Sequence, residues 1–412
     1  MEHFLRSRRV FKTLLSLAVA FGTLVMIPKY ADLEKRVKQG LTRRSPEWRR
    51  PESALVKSVS TVKTGCSKNV SFQEPPEEGP FEAAGYNGAP VDWDVRGVDC
   101  SPNPAVMQKN WFLKLDQHFQ QFVLYRHCKY YPMLINHPEK CKGDIHLLMV
   151  IKSVIEHHDR REAVRQTWGK ERNIGDKKIK TLFLLGTPSL DNDAKNLQKL
   201  IEFEDKLYGD ILQWDFMDTF FNLTLKEVNF LKWFHIYCPR TQFIFKGDDD
   251  VFVNPDNLLE LLSFRRDSPG MHSLFVGDTI HRAIPIRNRK SKYFIPRELY
   301  DKPYPPYVGG GGFLMSGALA QRLFIASADM VLYPIDDVFL GMCLQKVKVT
   351  PENHPGFRTF GIMKHKVSPM NNDPCFYKNL LVIHKLNPEE LLHMWNSIHD
   401  ANLICAKKSV LL

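Results

Sequence analysis

The sequence has no Cys-x-x-Cys pair and no cysteine placed with histidines at zinc spacing, so its eight cysteines do not read as a thiolate metal site. It has no internal repeat of note, and its richest glycine stretch lacks the Lys-Ser/Thr signature of a phosphate loop. Positive charge is scarce where a nucleic-acid surface would need it. The formal net charge is +11, yet residues 1–60 carry thirteen Lys/Arg against five Asp/Glu, which leaves about +3 for the other 352 residues. A domain so nearly neutral excludes a nucleic-acid partner. A full 20-residue apolar span is also missing: the uncharged run at 13–28 (TLLSLAVAFGTLVMIP) has only sixteen residues.

That run still reads as a membrane anchor. Val10 and Phe11 extend it, Lys12 can snorkel to the interface, and thinner early-secretory bilayers need less length. No small-residue cleavage site follows Ile27, where Pro28, Lys29 and Tyr30 stand, so the anchor is uncleaved. Arg6, Arg8, Arg9 and Lys12 ahead of it keep the N-terminus cytoplasmic and place the remainder in the lumen. The expected organisation is a tail at 1–12, a signal-anchor at 13–28, a lumenal stem at 29–105 and a catalytic domain at 106–412. The stem is rich in Arg, Lys, Ser, Pro and Glu and cannot bury a core. In an oxidising lumen Cys66, Cys100, Cys128, Cys141, Cys238, Cys343, Cys375 and Cys405 are expected to form disulfides, with Cys128–Cys141 the favoured staple. Asn69 and Asn222 stand in glycosylation sequons.

From residue 106 the pattern is α/β. Apolar positions at helical spacing run from Trp111 to Val123. Strands are expected at 145–155, 181–185, 210–214 and 242–246, alternating with helices at 159–168, 190–208 and 224–237, which predicts a layered domain with a largely parallel sheet. A further strand is expected at 274–276 and a helix at 318–327.

Four constellations carry chemistry. In KGDDDVFVN at 246–254, an apolar strand delivers Asp248, Asp249 and Asp250 together. Three adjacent like charges repel, and at the carboxyl edge of an α/β sheet they form the oxygen site that Mn²⁺ or Mg²⁺ prefers. The plainer alternative is an acidic turn capping the next helix. In YPIDDVFLG at 333–341, Asp336 and Asp337 open a helix; one is expected to cap it and the other to act as a base. In YVGGGGFLM at 307–315, four glycines read as a flexible substrate-facing loop where backbone approaches a ligand closely, and not as a regular strand. Lys152 and DRREAVRQTW at 159–168 place Arg160, Arg161 and Arg165 where a pyrophosphate could be held; a solvated helix face is the alternative.

Taken in order, RREAVRQTW, DTFFNLTLKE, FKGDDDVFVN, YPPYVGGGGF and YPIDDVFLGMC resemble the β-1,3-glycosyltransferases of glycosyltransferase family 31, and most of all the N-acetylglucosaminyltransferases that extend keratan sulfate and poly-N-acetyllactosamine. The resemblance runs from Trp111 to Cys405. It implies a GT-A fold, a Golgi membrane enzyme held by residues 13–28, a UDP-GlcNAc donor, Mn²⁺ or Mg²⁺, inversion at the anomeric carbon, and a galactose-ended glycan acceptor on glycoproteins. It implies Asp250 and His384 as metal ligands and Asp337 as the general base. Lys152, Arg160, Arg161, Arg165, Asp248, Asp249, Gly310 and Gly311 would line the donor. Homodimerisation stays open, as do a β-1,3-galactosyltransferase and an inactive glycan-binding protein.

Overall fold

The structure, a computed structural model, describes residues 92–188, 194–359 and 373–405. The expected anchor at 13–28, the expected stem up to residue 91, Cys66 and the Asn69 sequon lie outside the described residues. Among the described residues no helix is long and apolar enough to cross a membrane.

The fold is mixed α/β. Its strands are β1 (Met133–Ile135), β2 (Leu147–Lys152), β3 (Arg172–Ile174), β4 (Lys177–Thr187), β5 (Ile211–Met217), β6 (Phe243–Asp248), β7 (Val251–Val253), β8 (Phe275–Ile280), β9 (Tyr307–Ser316), β10 (Glu352–Asn353), β11 (Phe357–Arg358) and β12 (Val382–His384). Its main helices are α1 (Gln117–Tyr125), α2 (His158–Gln166), α3 (Ala194–Tyr208), α4 (Leu223–Tyr237), α5 (Pro255–Phe264), α6 (Gly317–Ala328), α7 (Asp336–Lys346), α8 (Pro374–Asn379) and α9 (Pro388–Ile398).

The main sheet runs β1-β5-β4-β2-β6-β9-β8-β10, with β3 alongside β4. β5, β4, β2 and β6 are mutually parallel, as the alternation of strands and helices predicts. The sheet then turns antiparallel at β9 and β8, so only half of it follows the expected pattern. β2 is buried along its whole length because helices cover both faces, which explains its unbroken apolar run. Alternate residues feed two separate cores: Leu148 and Val150 pack toward α4, while Leu147, Met149 and Ile151 pack toward α2 and α5. A small sheet, β11-β12-β7, sits at the end of the main one.

Three sequence expectations are corrected. The glycine stretch Gly309, Gly310, Gly311 and Gly312 lies inside β9 and pairs with β6 through Gly247 and Gly312, so it is a strand and not a loop. The folded unit begins ahead of residue 106: Trp93 N donates to Tyr237 Oη at 2.9 Å, and Trp93 Nε1 to the Tyr131 carbonyl. Cys128 pairs with Cys100 and Cys141 with Cys238, so the local Cys128–Cys141 staple gives way to bridges that tie distant segments; Cys375 pairs with Cys405. The Cys141–Cys238 bridge holds the approach to β2 against the end of α4, a contact that chain proximity hides.

Peptide mapping under non-reducing conditions checks this pairing. Linked peptides 100–128, 141–238 and 375–405 are expected, whereas a linked 128–141 peptide would contradict the fold at its entry.

Candidate active site

The carboxyl ends of β2 and β6 lie side by side, with Lys152 in register opposite Asp248. Asp249 and Asp250 turn the chain into β7, and β12 returns antiparallel so that His384 lies opposite Val251. From the other flank α7 enters through Ile335, putting Asp336 and Asp337 in its first turn. Trp168 anchors the arrangement from below α2, its buried Nε1 donating to the Val251 carbonyl at 2.9 Å.

The triple aspartate is not spent on capping. Asn254 caps α5, its side-chain oxygen accepting from Asn257 N at 3.2 Å. Asp248, Asp250 and His384 instead bring one ligand atom each within 4.8 Å of one another. His384 Nε2 lies 2.9 Å from Asp250 Oδ1 and 3.6 Å from Asp248 Oδ2. Nδ1 of the same ring sits 2.6 Å from the Thr359 carbonyl oxygen. That contact requires the proton on Nδ1, which in the neutral ring leaves the Nε2 lone pair facing the carboxylates. Thr359 is held in turn by Asp278, whose Oδ2 accepts from Thr359 Oγ1 at 3.0 Å and from its N–H at 3.2 Å. Two carboxylates and an oriented imidazole make an oxygen and nitrogen donor set that fits Mn²⁺ or Mg²⁺.

Asp249 faces the other way. It is buried and accepts from Ser153 Oγ at 2.8 Å and Arg160 Nη1 at 3.1 Å, with His157 Nδ1 also 2.8 Å away. Arg160 spans from there to Asp250 Oδ2 at 3.6 Å. Arg161 and Arg165 do not reach the cluster. Arg161 is fully buried in a forked pair with Glu204 at 2.7 and 2.8 Å. Arg165 pairs with Asp210 at 2.9 and 2.8 Å and lies over the Tyr208 ring. Arg161 and Arg165 spend their charge on Glu204 and Asp210, from α3 and its following turn, so these two residues of α2 are chiefly a structural clamp. Sequence spacing alone does not separate Arg160 from these two.

Lys152 joins the two acidic groups. Only 6% exposed, it places Nζ 2.8 Å from Asp336 Oδ2 and 3.1 Å from Asp248 Oδ1. Burial would strip its charge, but Asp248 and Asp336 outweigh that and hold its pKa well above the ordinary lysine value. Burial would likewise raise Asp336, and the Lys152 ammonium overrides it, keeping that carboxyl below its usual range. Asp337 lacks such a counter-ion. Burial and the charge on Asp336 push it up to about 7, and its Oδ2 accepts from Gly310 N at 3.2 Å. One of the two adjacent carboxylates therefore stays ionised beside Lys152, while the other exchanges its proton near neutral pH.

The glycines of β9 form the floor between these groups. A Cβ on Gly311 would stand 2.7 Å from His384 Nδ1, and one on Gly309 2.6 Å from Thr359 Oγ1. At Gly310 it would meet Lys152 Nζ at 3.3 Å and Asp337 Oδ2 at 3.7 Å. As part of a strand, this backbone approaches the side chains of Lys152, His384 and Thr359 closely. Beside Asp337 stands an aromatic wall that sequence reasoning missed. Burial, then the Asp337 carboxylate, pushes the Tyr307 hydroxyl up, and Tyr304 packs edge-on to it at 6.1 Å. The YPPY spelling at 304–307 is the only sequence signal for it.

Gly311→Ala must displace the His384 ring and is expected to cost about 1–3 kcal/mol of stability, the usual range for overpacking. Gly310→Ala, with its milder contact, should cost less. Denaturant unfolding of the two variants reads the difference; equal costs would contradict this packing.

Known proteins resemble this chain over most of its length. A family model described as galactosyltransferase matches residues 159–355. The UDP-GlcNAc:betaGal beta-1,3-N-acetylglucosaminyltransferase 7 of Rattus norvegicus is 57% identical over 323 residues, covering 77% of this chain and 80% of the relative. The N-acetyllactosaminide beta-1,3-N-acetylglucosaminyltransferase 2 of Homo sapiens is 45% identical over 307 residues, 74% of this chain and 76% of the relative. A third, the human acetylgalactosaminyl-O-glycosyl-glycoprotein beta-1,3-N-acetylglucosaminyltransferase, is 41% identical over 340 residues, 81% and 88% of the two chains. The chain therefore belongs to the galactosyltransferase family of glycosyltransferase family 31, alongside its β-1,3-N-acetylglucosaminyltransferase members.

Proposed function

We propose that this protein transfers N-acetylglucosamine from UDP-GlcNAc, with inversion and in β-1,3 linkage, to the terminal galactose of lactosamine-type or keratan-type glycans on glycoproteins. The observation that carries this is the juxtaposition of an oriented Asp248/Asp250/His384 donor set with a base-type carboxylate, Asp337, across the buried Lys152. The relatives' names supply the sugar and the acceptor; the geometry supplies the chemistry. The carboxylates at the end of a central parallel strand suit a GT-A transferase, and residues 13–28 suit a single-pass Golgi anchor with the catalytic domain lumenal.

Asp250 and His384, with Asp248 beside them, would hold the Mn²⁺ or Mg²⁺ ion. Such an ion, when bound, neutralises the donor diphosphate and stabilises the charge left on UDP. Arg160, one-third exposed at the edge of the cluster, adds a guanidinium on the same flank. Gly310 and Gly311 leave the floor bare so that the donor can lie close to backbone. Asp337 accepts the proton of the galactose 3-hydroxyl as that oxygen bonds to C1 of GlcNAc. The C1–oxygen bond to UDP breaks on the opposite face, its electron pair leaving with UDP, so an α donor gives a β product. Lys152 keeps Asp336 ionised as its counter-ion and so leaves the proton exchange to Asp337.

Asp337→Asn should lower turnover by about 10²–10⁴-fold, the span general base catalysis supplies, while UDP binding changes little. Wild-type turnover in this variant would remove Asp337 from the role. Because an ionised Asp337 is required, kcat should fall as pH drops through about 7. Asp336→Asn removes a neighbouring negative charge, so its acid limb should move to lower pH; an upward move would contradict the electrostatics.

A donor screen with the full-length protein and a lactosamine acceptor tests the whole assignment. Transfer from UDP-GlcNAc and not from UDP-Gal, abolished by chelation, is expected. Transfer from UDP-Gal would make it a β-1,3-galactosyltransferase, and no transfer from any donor would favour a glycan-binding protein.

A further inference from the structure

The main sheet has a second chemically distinct end. Where β2, β4 and β6 begin, opposite to the candidate active site, the surface opens into a cleft of about 390 Å³. β6 runs from its wall at Phe243 to Asp248, six residues, so roughly 17 Å separates the two at about 3.3 Å per residue. Four side chains that carry or can carry positive charge line the cleft: His146, Lys177, Arg266 and His272. No carboxylate lines it. Arg266 and His272 are exposed, and among the described residues neither side chain makes a hydrogen bond or ion pair, whereas most cations near the active site are matched. Among the described residues Lys177 Nζ donates to Ser263 Oγ, at 2.6 Å, a neutral partner.

The walls add direction. His146 is turned by the contact of its Nδ1 with Gln242 Oε1 at 2.9 Å and packs edge-on against Phe243 at 5.4 Å. Its Nε2 is buried and has no hydrogen-bond partner among the described residues; with the ring proton held on Nδ1 by Gln242, Nε2 presents a lone pair that a ligand hydroxyl would satisfy. The first turn of α6 opens at Ser316 and Ala318 on the same wall, so its N-terminal dipole adds to the positive field. Phe243, Leu262, Met271 and Ala318 give the cleft an apolar lining, so it offers more than a bare ion requires.

We propose that this cleft is a second binding site, separate from the transfer site, for a small ligand carrying a tetrahedral oxyanion, a phosphate or sulfate ester on a body of about monosaccharide size. The oxyanion meets Lys177 and Arg266, and the body lies over Phe243 and Met271 with a hydroxyl donating to His146 Nε2. It goes beyond the proposed transferase activity and does not depend on it.

Titration calorimetry on the full-length protein, saturated with Mn²⁺ and UDP to fill the transfer site, tests the assignment. The probes are glucose 6-phosphate, glucose 6-sulfate, inorganic phosphate and inorganic sulfate. Saturable binding of at least one sugar ester is expected, weakened tenfold or more in Arg266→Gln and in Lys177→Gln. Asp337→Asn should bind as wild type does. Which ester binds tighter identifies the source of the oxyanion, and thermal melting confirms that the surface variants stay folded. Four outcomes overturn the proposal: no ester binds, only free inorganic ions bind, both cleft variants bind like wild type, or UDP competes with the ester.

Discussion

A buried ammonium stays charged only if carboxylates surround it, and Lys152 is placed so that both of its partners belong to the chemistry. Asp248 comes from β6 and Asp336 from α7, and the lysine from β2 lies between them. Without that cation, three carboxylates would face one another in a water-poor cleft, and each would be driven toward its protonated form. With it, Asp336 is held ionised, burial still keeps Asp248 above its ordinary range, and Asp337 is pushed up to about 7. The single charge thus separates a metal-type half from a base-type half. The register of β2 against β6 fixes its position, since Lys152 pairs with Asp248 as the last residues of parallel neighbours.

The same economy of position extends outward. The β9 glycines can lie against His384, Thr359 and Lys152 because they carry no side chain, and β9 can reach between β6 and β8 because it runs antiparallel to both. His384 is oriented by Thr359, and Thr359 by Asp278 from β8, so a residue two links from the cluster helps aim a ligand nitrogen. Beneath the site a second buried pair, Lys246 with Glu227, keeps the strand leading to Asp248 neutral where it crosses the core.

Much of this was legible in the sequence, and the reasons differ by residue. Asp248, Asp249, Asp250, Asp336 and Asp337 stand out because clustered like charge after an apolar strand or at a helix start is costly without a purpose. The parallel half of the sheet is legible because buried strands read as apolar runs alternating with amphipathic helices. His384 carries no local signal and was reached through family resemblance alone. Arg160, Arg161 and Arg165 look alike in a row, yet helical rotation turns one to the cluster and two toward Glu204 and Asp210. The glycine strand differs from the expected loop because it is carried inside β9, which pairs with β6 through Gly312 and with β8 on either side of the glycines. The disulfides escaped because nearness in sequence says little about nearness in the fold, as Cys141 and Cys238 illustrate.

The division of the site into two halves across Lys152 is the central claim, and crystals of the protein grown with Mn²⁺ and UDP would test it most directly through diffraction at the manganese edge. A single anomalous peak beside Asp250 and His384 is expected, with Asp337 free of metal on the far side of Lys152. A peak on Asp336 and Asp337, or a diphosphate lying against Asp337 with the Asp250–His384 pair bare, would contradict it.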